Sequence, residues 1–348
     1  MPNSRQRRKL FCLWAIRMSK HSNISIFVPH VGCPNMCSFC NQRTISGHQS
    51  VPTALDVINT CTQALGEVKS VQNTEIAFFG GSFTAIDKDY MTELLSAAKQ
   101  FVGKDKFCGI RISTRPDCIN EQILESLKSY GVRAIELGAQ SLDDEVLKAN
   151  DRGHTEKDVL KASELIKKHG FELGLQIMTG LYKSNNEKDM QTLKKVISIN
   201  PDTLRIYPTV ILEGTKLGEL YKSGEYKPVS FESMVELCAD MLIELSQTDI
   251  SVIRCGLHAS DNVSTEQVGG FYHPAFKELC ESVVYRKLIE KALPENITGR
   301  CEVSVDELCI SKAVGHGKSN TEYFKNKGIE LAVKGEKNLG RYQCRFRG

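Results

Sequence analysis

The sequence predicts an α/β fold: a partial (β/α)6 barrel of the TIM type with a C-terminal α+β appendage. Three observations lead there. Apolar runs of strand length alternate with amphipathic runs of helix length from residue 23 to 207, and crossovers of that length make neighbouring strands parallel. Glycines and polar residues gather just after most of the apolar runs, where a parallel barrel carries its active rim. A chain of 348 residues, 41% of them hydrophobic, is long enough to bury one barrel-sized core.

In chain order, residues 23–28 form the first strand, and Thr53 caps a helix to about 68 with Leu55, Ile58, Ala64 and Leu65 on its apolar side. The second strand is 74–79, stopped by Gly80 and Gly81. Helix 87–102 follows, with Tyr90, Met91, Leu94, Leu95, Ala98 and Phe101 at helical spacing. Strand 108–113, helix 120–130, strand 132–137, a helical region 143–168, strand 171–177, helix 186–199 and strand 203–207 complete six strand–helix units, or nearly so. Past Pro208 the rhythm changes. A polar connection at 213–228 leads to an amphipathic helix at 231–245, a short strand at 250–254 and a helix at 275–292. Strand-like runs at 300–305 and 329–333 bracket the glycine-rich turn Gly315-His316-Gly317-Lys318. The expected organisation is a disordered extension over 1–17, a barrel core over 18–214 and an appendage over 215–348 packed on the barrel.

A net charge of +3 is too mild to argue for nucleic acid by itself. Thirteen cysteines without paired spacings or a secretion signal point to a reducing, cytoplasmic setting rather than a disulfide framework. No membrane span is expected. The first seventeen residues are basic and then briefly apolar, too short a run for a signal core, and Met18 reads as the true start.

Directly after the first strand stands Cys33-Pro-Asn-Met-Cys37-Ser-Phe-Cys40, a C-x3-C-x2-C triplet whose thiolates can converge at the strand's end. A structural zinc takes four protein ligands, and the chain has no second paired knuckle. Three ligands suit an iron–sulfur cube with one iron left open. Unligated cysteines at this spacing are the plain alternative. The other ten cysteines are scattered and read as small buried residues rather than a second cluster.

The triplet, with Phe39 before its last cysteine, resembles the signature of the radical S-adenosylmethionine (radical SAM) superfamily. Longer phrases extend the likeness: Ile112-Ser-Thr-Arg-Pro-Asp117, Glu136-Leu-Gly-Ala-Gln-Ser-Leu-Asp143, Asp151-Arg-Gly-His-Thr155, Gln176-Ile-Met-Thr-Gly180 and the run 204–215. Over roughly residues 24–290 these are similar to the radical SAM domain of the Elongator catalytic subunit, and more loosely to oxygen-independent coproporphyrinogen oxidases. The resemblance implies a 4Fe-4S cluster on Cys33, Cys37 and Cys40. It also implies S-adenosylmethionine (SAM) held by Phe39, Gly80, Gly81, Ser82, Gln140, Arg152 and Gln176, and a reductant such as ferredoxin or flavodoxin. Gly80-Gly81-Ser82 stands where the superfamily has Gly-Gly-Glu, so a backbone group or the Ser82 hydroxyl must meet the SAM amino group. Read on its own, the same stretch is an ordinary strand–helix turn.

Arg115 is positioned to pair with a carboxylate of SAM or substrate, or else to bridge to Asp117. Tyr207 and Arg254 are the expected catalytic residues on the substrate side, with His258 and His273 as further candidates; His30 and His48 flank the cysteine loop. The Elongator subunit continues into an acetyltransferase domain that this sequence does not match before Gly348, so its reaction on wobble uridine is not carried over. Gly315-His-Gly-Lys-Ser-Asn320 is assigned no CoA role. The expected function is a radical SAM enzyme, an oxidoreductase or transferase, acting on RNA. The alternatives are a porphyrin or other small molecule as substrate, or a non-catalytic iron–sulfur or SAM-binding module. Lysines and arginines of the appendage are either an RNA-facing surface or a solvated face.

Overall fold

The structure, a computed structural model, describes residues 22–29, 33, 36–41, 44–45, 50–258 and 261–348. The extension 1–17, the start at Met18, His30 and His48 lie outside them. Among the described residues the main sheet has seven strands in the order β1-β2-β3-β4-β5-β6-β8. These are β1 Ser22–Val28, β2 Thr74–Gly80, β3 Gly109–Thr114, β4 Val132–Gln140, β5 Glu172–Thr179, β6 Thr203–Pro208 and, after the short β7 Val210–Leu212, β8 Ser251–Cys255. Every pairing in this sheet is parallel. The sheet curls into an open half-barrel, the partial barrel the sequence leads one to expect. Its seventh strand lies beyond residue 214, in the stretch expected to form the appendage.

The helices start where side chains satisfy the first amides. Thr53 with Asp56 and Thr155 with Asp158 form capping boxes, and Asp87, Asn120 and Asn185 cap three more. Helix Lys88–Lys99 stops short of the expected 102 because residues 100–103 turn back, with Phe107 bonding to Phe101 O. The helical region 143–168 is two helices, Asp144–Ala149 and Glu156–Lys168. Between them Asp151 (φ 53°) and Gly153 (φ 71°) adopt left-handed backbone, which turns the chain and sends Arg152 and His154 inward.

A strand pair that the sequence pattern did not reveal, β7 with β9 Gln267–Gly270, sits beside the rim. Beyond it, helix Phe276–Ala292 belongs to two cores. Cys280, Val283 and Val284 pack with the barrel, while Tyr285 and Ile289 pack with Val303, Val305 and Phe324. The second core lies under a three-stranded sheet of β10 Gly299–Asp306, β11 Ile329–Glu336 and β12 Cys344–Phe346.

The floor of the half-barrel is ionic. Arg111, 2% exposed, bonds Glu75 at 2.7 Å, Glu136 at 3.3 Å and Glu172 at 2.6 Å. Glu136, 1% exposed, also receives Arg205 at 2.9 Å and the Gln176 amide at 2.9 Å. Removing Glu136 leaves two guanidinium groups short of a carboxylate in a dry interior, which costs far more than losing a surface pair. Glu136→Ala is therefore expected to lower stability by ~3–5 kcal/mol in urea titrations; a loss below ~1 kcal/mol would show that water reaches this floor.

Candidate metal and cofactor site

Cys33, Cys37 and Cys40 line one cavity of about 730 Å³ at the C-terminal rim, together with Gly80, Gly81, Ser82, Arg115, Gln140, Arg152, Gln176 and Phe39. No described cysteine is in a disulfide. The cysteine segment is fastened to the barrel from below. Ser38, 1% exposed, bonds through N–H and Oγ to Asn150 at 3.2 and 2.8 Å, and its carbonyl accepts from Leu217 N–H at 2.7 Å. Asn150, fully buried, spends its amide protons on Val146 O (2.8 Å) and Tyr182 O (2.9 Å). Phe39 packs toward Ile211, Leu217 and Tyr226.

Arg152 donates from Nη1 to Cys37 Sγ at 2.9 Å and from Nη2 to Gly138 O at 2.6 Å. Gly138 makes the approach feasible, since a Cβ there would stand 3.0 Å from Gln140 Nε2 and 3.5 Å from Arg152 Nη2. Burial raises the Cys33 thiol, against the Ser82 backbone bond and the charges of Arg115 and Arg152, which lower it. A ring of donors and cations around sulfur is what thiolate ligation needs.

At the end of β4 the pairing with β5 shifts register between Gly138 and Gln140, and Gln140 takes a left-handed backbone (φ 64°). Such bulges re-aim a side chain, here into the cavity, where Gln140 Oε1 is buried without a partner. Arg115 forks onto Asp117 with Nε–Oδ1 at 2.9 Å and Nη2–Oδ2 at 2.8 Å, and its Nη1 is also buried and unpartnered. The bridge to Asp117 and an open donor thus coexist. Arg152 Nε is the third such atom in the cavity lining. Buried polar atoms left open in one place fit a polar guest. The residues present therefore suit a thiolate-bound cluster with a small zwitterion beside it.

Gly80 has φ +117°, and a Cβ there would lie 2.7 Å from Val28 O, so only glycine lets β2 run so close past β1. Ser82 Oγ is 2.9 Å from Thr114 Oγ1, which is 2.6 Å from Thr84 Oγ1, which donates to Cys118 O at 2.8 Å. Following that chain backward, Ser82 spends its proton on Thr114 and accepts from Arg115 N–H at 3.2 Å. One acceptor lone pair remains, the kind an ammonium seeks.

A second cavity of about 480 Å³ adjoins the first, sharing Phe39, Cys40, Gly80, Ser113, Gln140 and Gln176. Tyr207, Arg254 and His258 line it with Phe27, Phe79 and Arg205. Arg254 pairs in register with Arg205 and forms no ion pair among the described residues. His273 is not in its lining; it accepts from Ala275 N–H at 3.0 Å and packs on Phe231 and His316. In the appendage, Lys312 and Arg341 pair with Glu281, Lys327 with Glu290, and Arg345 and Arg347 with Glu336, so much of the expected basic face is neutralised.

Sequence reasoning missed Asn150, Gly138 and His154. Asn150 ends a helix, where asparagine is commonplace, and only its tertiary partners mark it. His154 bonds Ala139 O at 3.1 Å beside Gln140, and burial with the nearby Arg152 charge holds it at about 4 against an ordinary 6.5.

This half-barrel, with three free cysteines and unsatisfied polar groups around one rim cavity, is an open parallel α/β barrel with a candidate site at its C-terminal edge. The radical SAM superfamily model matches residues 27–196, and the Radical_SAM C-terminal domain model matches 201–286. The chain belongs to the radical SAM superfamily of enzymes. It is 30% identical over 257 residues to Elongator complex protein 3 of Saccharomyces cerevisiae, covering 62% of this chain and 46% of that one. It is 31% identical over 183 residues to the tRNA uridine(34) acetyltransferase of Methanocaldococcus infernus, covering 47% and 34%. The solved structure of Methanocaldococcus infernus Elp3 with an N-terminal deletion shares the fold, with a TM-score of 0.62 and 24% identity over 79% of this chain and 64% of that one. The chain thus spans about half or less of the length of these two curated relatives.

Two outcomes follow from this geometry. Asn150→Ala frees the Ser38 anchor, so iron bound per chain after anaerobic reconstitution is expected to fall at least several-fold while the far-ultraviolet dichroism is kept; unchanged iron would mean that the anchor does not hold the loop. A histidine whose folded value lies below its unfolded one stabilises above the unfolded value and loses that contribution as pH falls toward the folded one. The stability advantage of the wild type over His154→Gln is therefore expected to shrink by ~2–3 kcal/mol between about pH 7 and pH 4. Asp189, raised by burial to about 6, changes in the opposite sense, so the difference between the two proteins is the quantity to measure.

Proposed function

We propose that the chain binds a 4Fe-4S cluster on Cys33, Cys37 and Cys40, holds SAM in the adjoining polar cavity, and acts on RNA. The observation that carries this reading is the convergence, on one cavity, of three cysteines and three buried polar atoms without partners. When bound, the cluster supplies an electron and SAM the sulfonium whose reductive cleavage gives a 5'-deoxyadenosyl radical able to abstract hydrogen.

The chain's own residues orient and insulate. Arg152 donates to Cys37 Sγ and eases negative charge on that sulfur. The Gly80-Gly81 backbone and the open lone pair of Ser82 receive the SAM ammonium. Arg115 Nη1 meets the carboxylate, and Gln140 Oε1 accepts from a ribose hydroxyl. Phe39 and Gln176 form walls between this cavity and the next. There Tyr207 and Arg254 are the substrate-side residues: Arg254 is the cation for an anionic group, and the Tyr207 hydroxyl stands 3.4 Å from Arg205 Nη1, ready to donate or accept.

RNA is favoured over a small metabolite by the curated relatives named for tRNA uridine(34), and the second cavity, lined by Phe27, Phe79, Arg205 and Arg254, offers aromatic and cationic groups of the kind that RNA meets. A low-potential donor such as ferredoxin or flavodoxin would supply the electron in a reducing cytoplasm. No described helix is long and apolar enough to cross a membrane.

Anaerobically reconstituted protein, reduced with dithionite in the presence of SAM, is expected to release 5'-deoxyadenosine, and Cys37→Ala to release none. Absence of the nucleoside from iron-loaded protein would refute the reading. With unmodified tRNA added, the yield is expected to rise several-fold, and Arg254→Gln to remove that rise while leaving the basal yield; no response to any RNA would move the substrate to another class.

A further inference from the structure

Three cysteines that no motif connects come together behind the rim. Cys238 on helix Phe231–Leu245, Cys255 at the end of β8 and Cys280 on helix Phe276–Ala292 place their sulfurs all within 4.8 Å of one another. Cys238 and Cys280 are fully buried and Cys255 is 5% exposed. Elsewhere in the chain buried cysteines such as Cys61 serve as isolated small apolar residues. Three converging from separate elements is a different situation.

Spacing decides what such a group fits. Sulfurs sharing one tetrahedral cation at ~2.3 Å each stand ~3.8 Å apart, a separation that the 4.8 Å bound on these three sulfurs admits, whereas the thiolates of a cluster each take a different iron and lie farther apart. Charge agrees. Three thiolates on a divalent ion leave one negative charge; of the two charged groups within electrostatic reach of Cys255, Lys277 favours it, while Glu281, which opposes it, is itself paired with Lys312 and Arg341. Among the described residues the Lys277 ammonium has one hydrogen-bond contact, a long one of 3.5 Å to Val252 O. Thr179 Oγ1 and Met234 Sδ lie 3.8 and 4.0 Å from Cys238 Sγ, and with three protein ligands the fourth position of the ion falls to water. Cys255 also lines a cavity of about 890 Å³ shared with Lys277, Lys312 and Arg341, which gives an ion a way in.

We infer that Cys238, Cys255 and Cys280 form a second metal site that takes one zinc-type cation, independent of the rim cysteines, and ties β8 to the two helices that carry the C-terminal unit. On binding, three S–H protons pass to solvent and three sulfur–metal bonds form, with no change of oxidation state. The thiolate set favours a thiophilic ion over magnesium or calcium.

The test uses the full chain with Cys33, Cys37 and Cys40 all changed to Ala, so that its outcome is separate from that of the rim site. After loading with zinc and gel filtration, elemental analysis is expected to find one zinc per chain. Cobalt(II) loading is expected to give the intense thiolate-to-cobalt absorption of a sulfur-rich tetrahedral site. Cys238→Ala or Cys280→Ser in that background is expected to abolish both signals. Zinc retained in these variants, or none bound before they are made, would overturn the inference. Should the variants fail to fold, the thermal midpoint of the parent chain is read instead: zinc is expected to raise it by several degrees, and no shift would overturn the site.

Discussion

The rim site depends on one buried contact, Ser38 against Asn150. A three-cysteine segment has no fold of its own, and its sulfurs converge only if something rigid holds the backbone between them. Asn150 supplies that rigidity because its own amide is committed to Val146 O and Tyr182 O, leaving its carbonyl oxygen aimed at Ser38. The left-handed turn that follows then delivers Arg152 to Cys37, so the element that anchors the segment also places its cation. Position and electrostatics are solved by one stretch of chain.

Beneath this rim lies the ionic floor of Arg111, Glu75, Glu136, Glu172 and Arg205. Its carboxylates and guanidinium groups are paired with one another, Arg205 Nε lying 2.8 Å from Glu136 as an ion pair without a hydrogen bond of its own, while Gln140, Arg115 and Arg152, one layer higher, each keep an atom open with no counter-charge on it. That contrast separates what stabilises the barrel from what awaits a guest. Gln176 belongs to both layers, since it lines the cavity but gives its amide to Glu136, so it shapes the cavity wall rather than offering that amide to it.

Much of this was legible in the sequence because it is local. Strand–helix alternation fixes parallel pairing, and capping residues such as Thr53, Asn120 and Asn185 mark helix starts within a residue. The cysteine triplet, the glycine pair and the polar residues after each strand stand beside the elements that carry them. What escaped is tertiary. The break at Asp151–Gly153 lies inside a region of good helical spacing, and only the inward turn of Arg152 explains it. The pairing of β7 with β9 joins short runs more than fifty residues apart, and Asn150 looks like any helix end. Cys238, Cys255 and Cys280 sit too far apart in the chain for spacing to signal a shared point, yet the helix–strand–helix packing converges them. The appendage lysines and arginines read equally as an RNA-facing surface or a solvated face, and the carboxylate partners of Lys312, Lys327, Arg341, Arg345 and Arg347 appear only in the fold.

In the proposed function Cys33, Cys37 and Cys40 would hold a 4Fe-4S cluster with one iron left open to SAM. Electron paramagnetic resonance of the anaerobically reconstituted, reduced protein tests this most directly. A signal of a reduced 4Fe-4S centre whose g-values shift when SAM is added is the predicted result. A protein that takes up only zinc at the rim cysteines, or a cluster signal that SAM leaves unchanged, would contradict it.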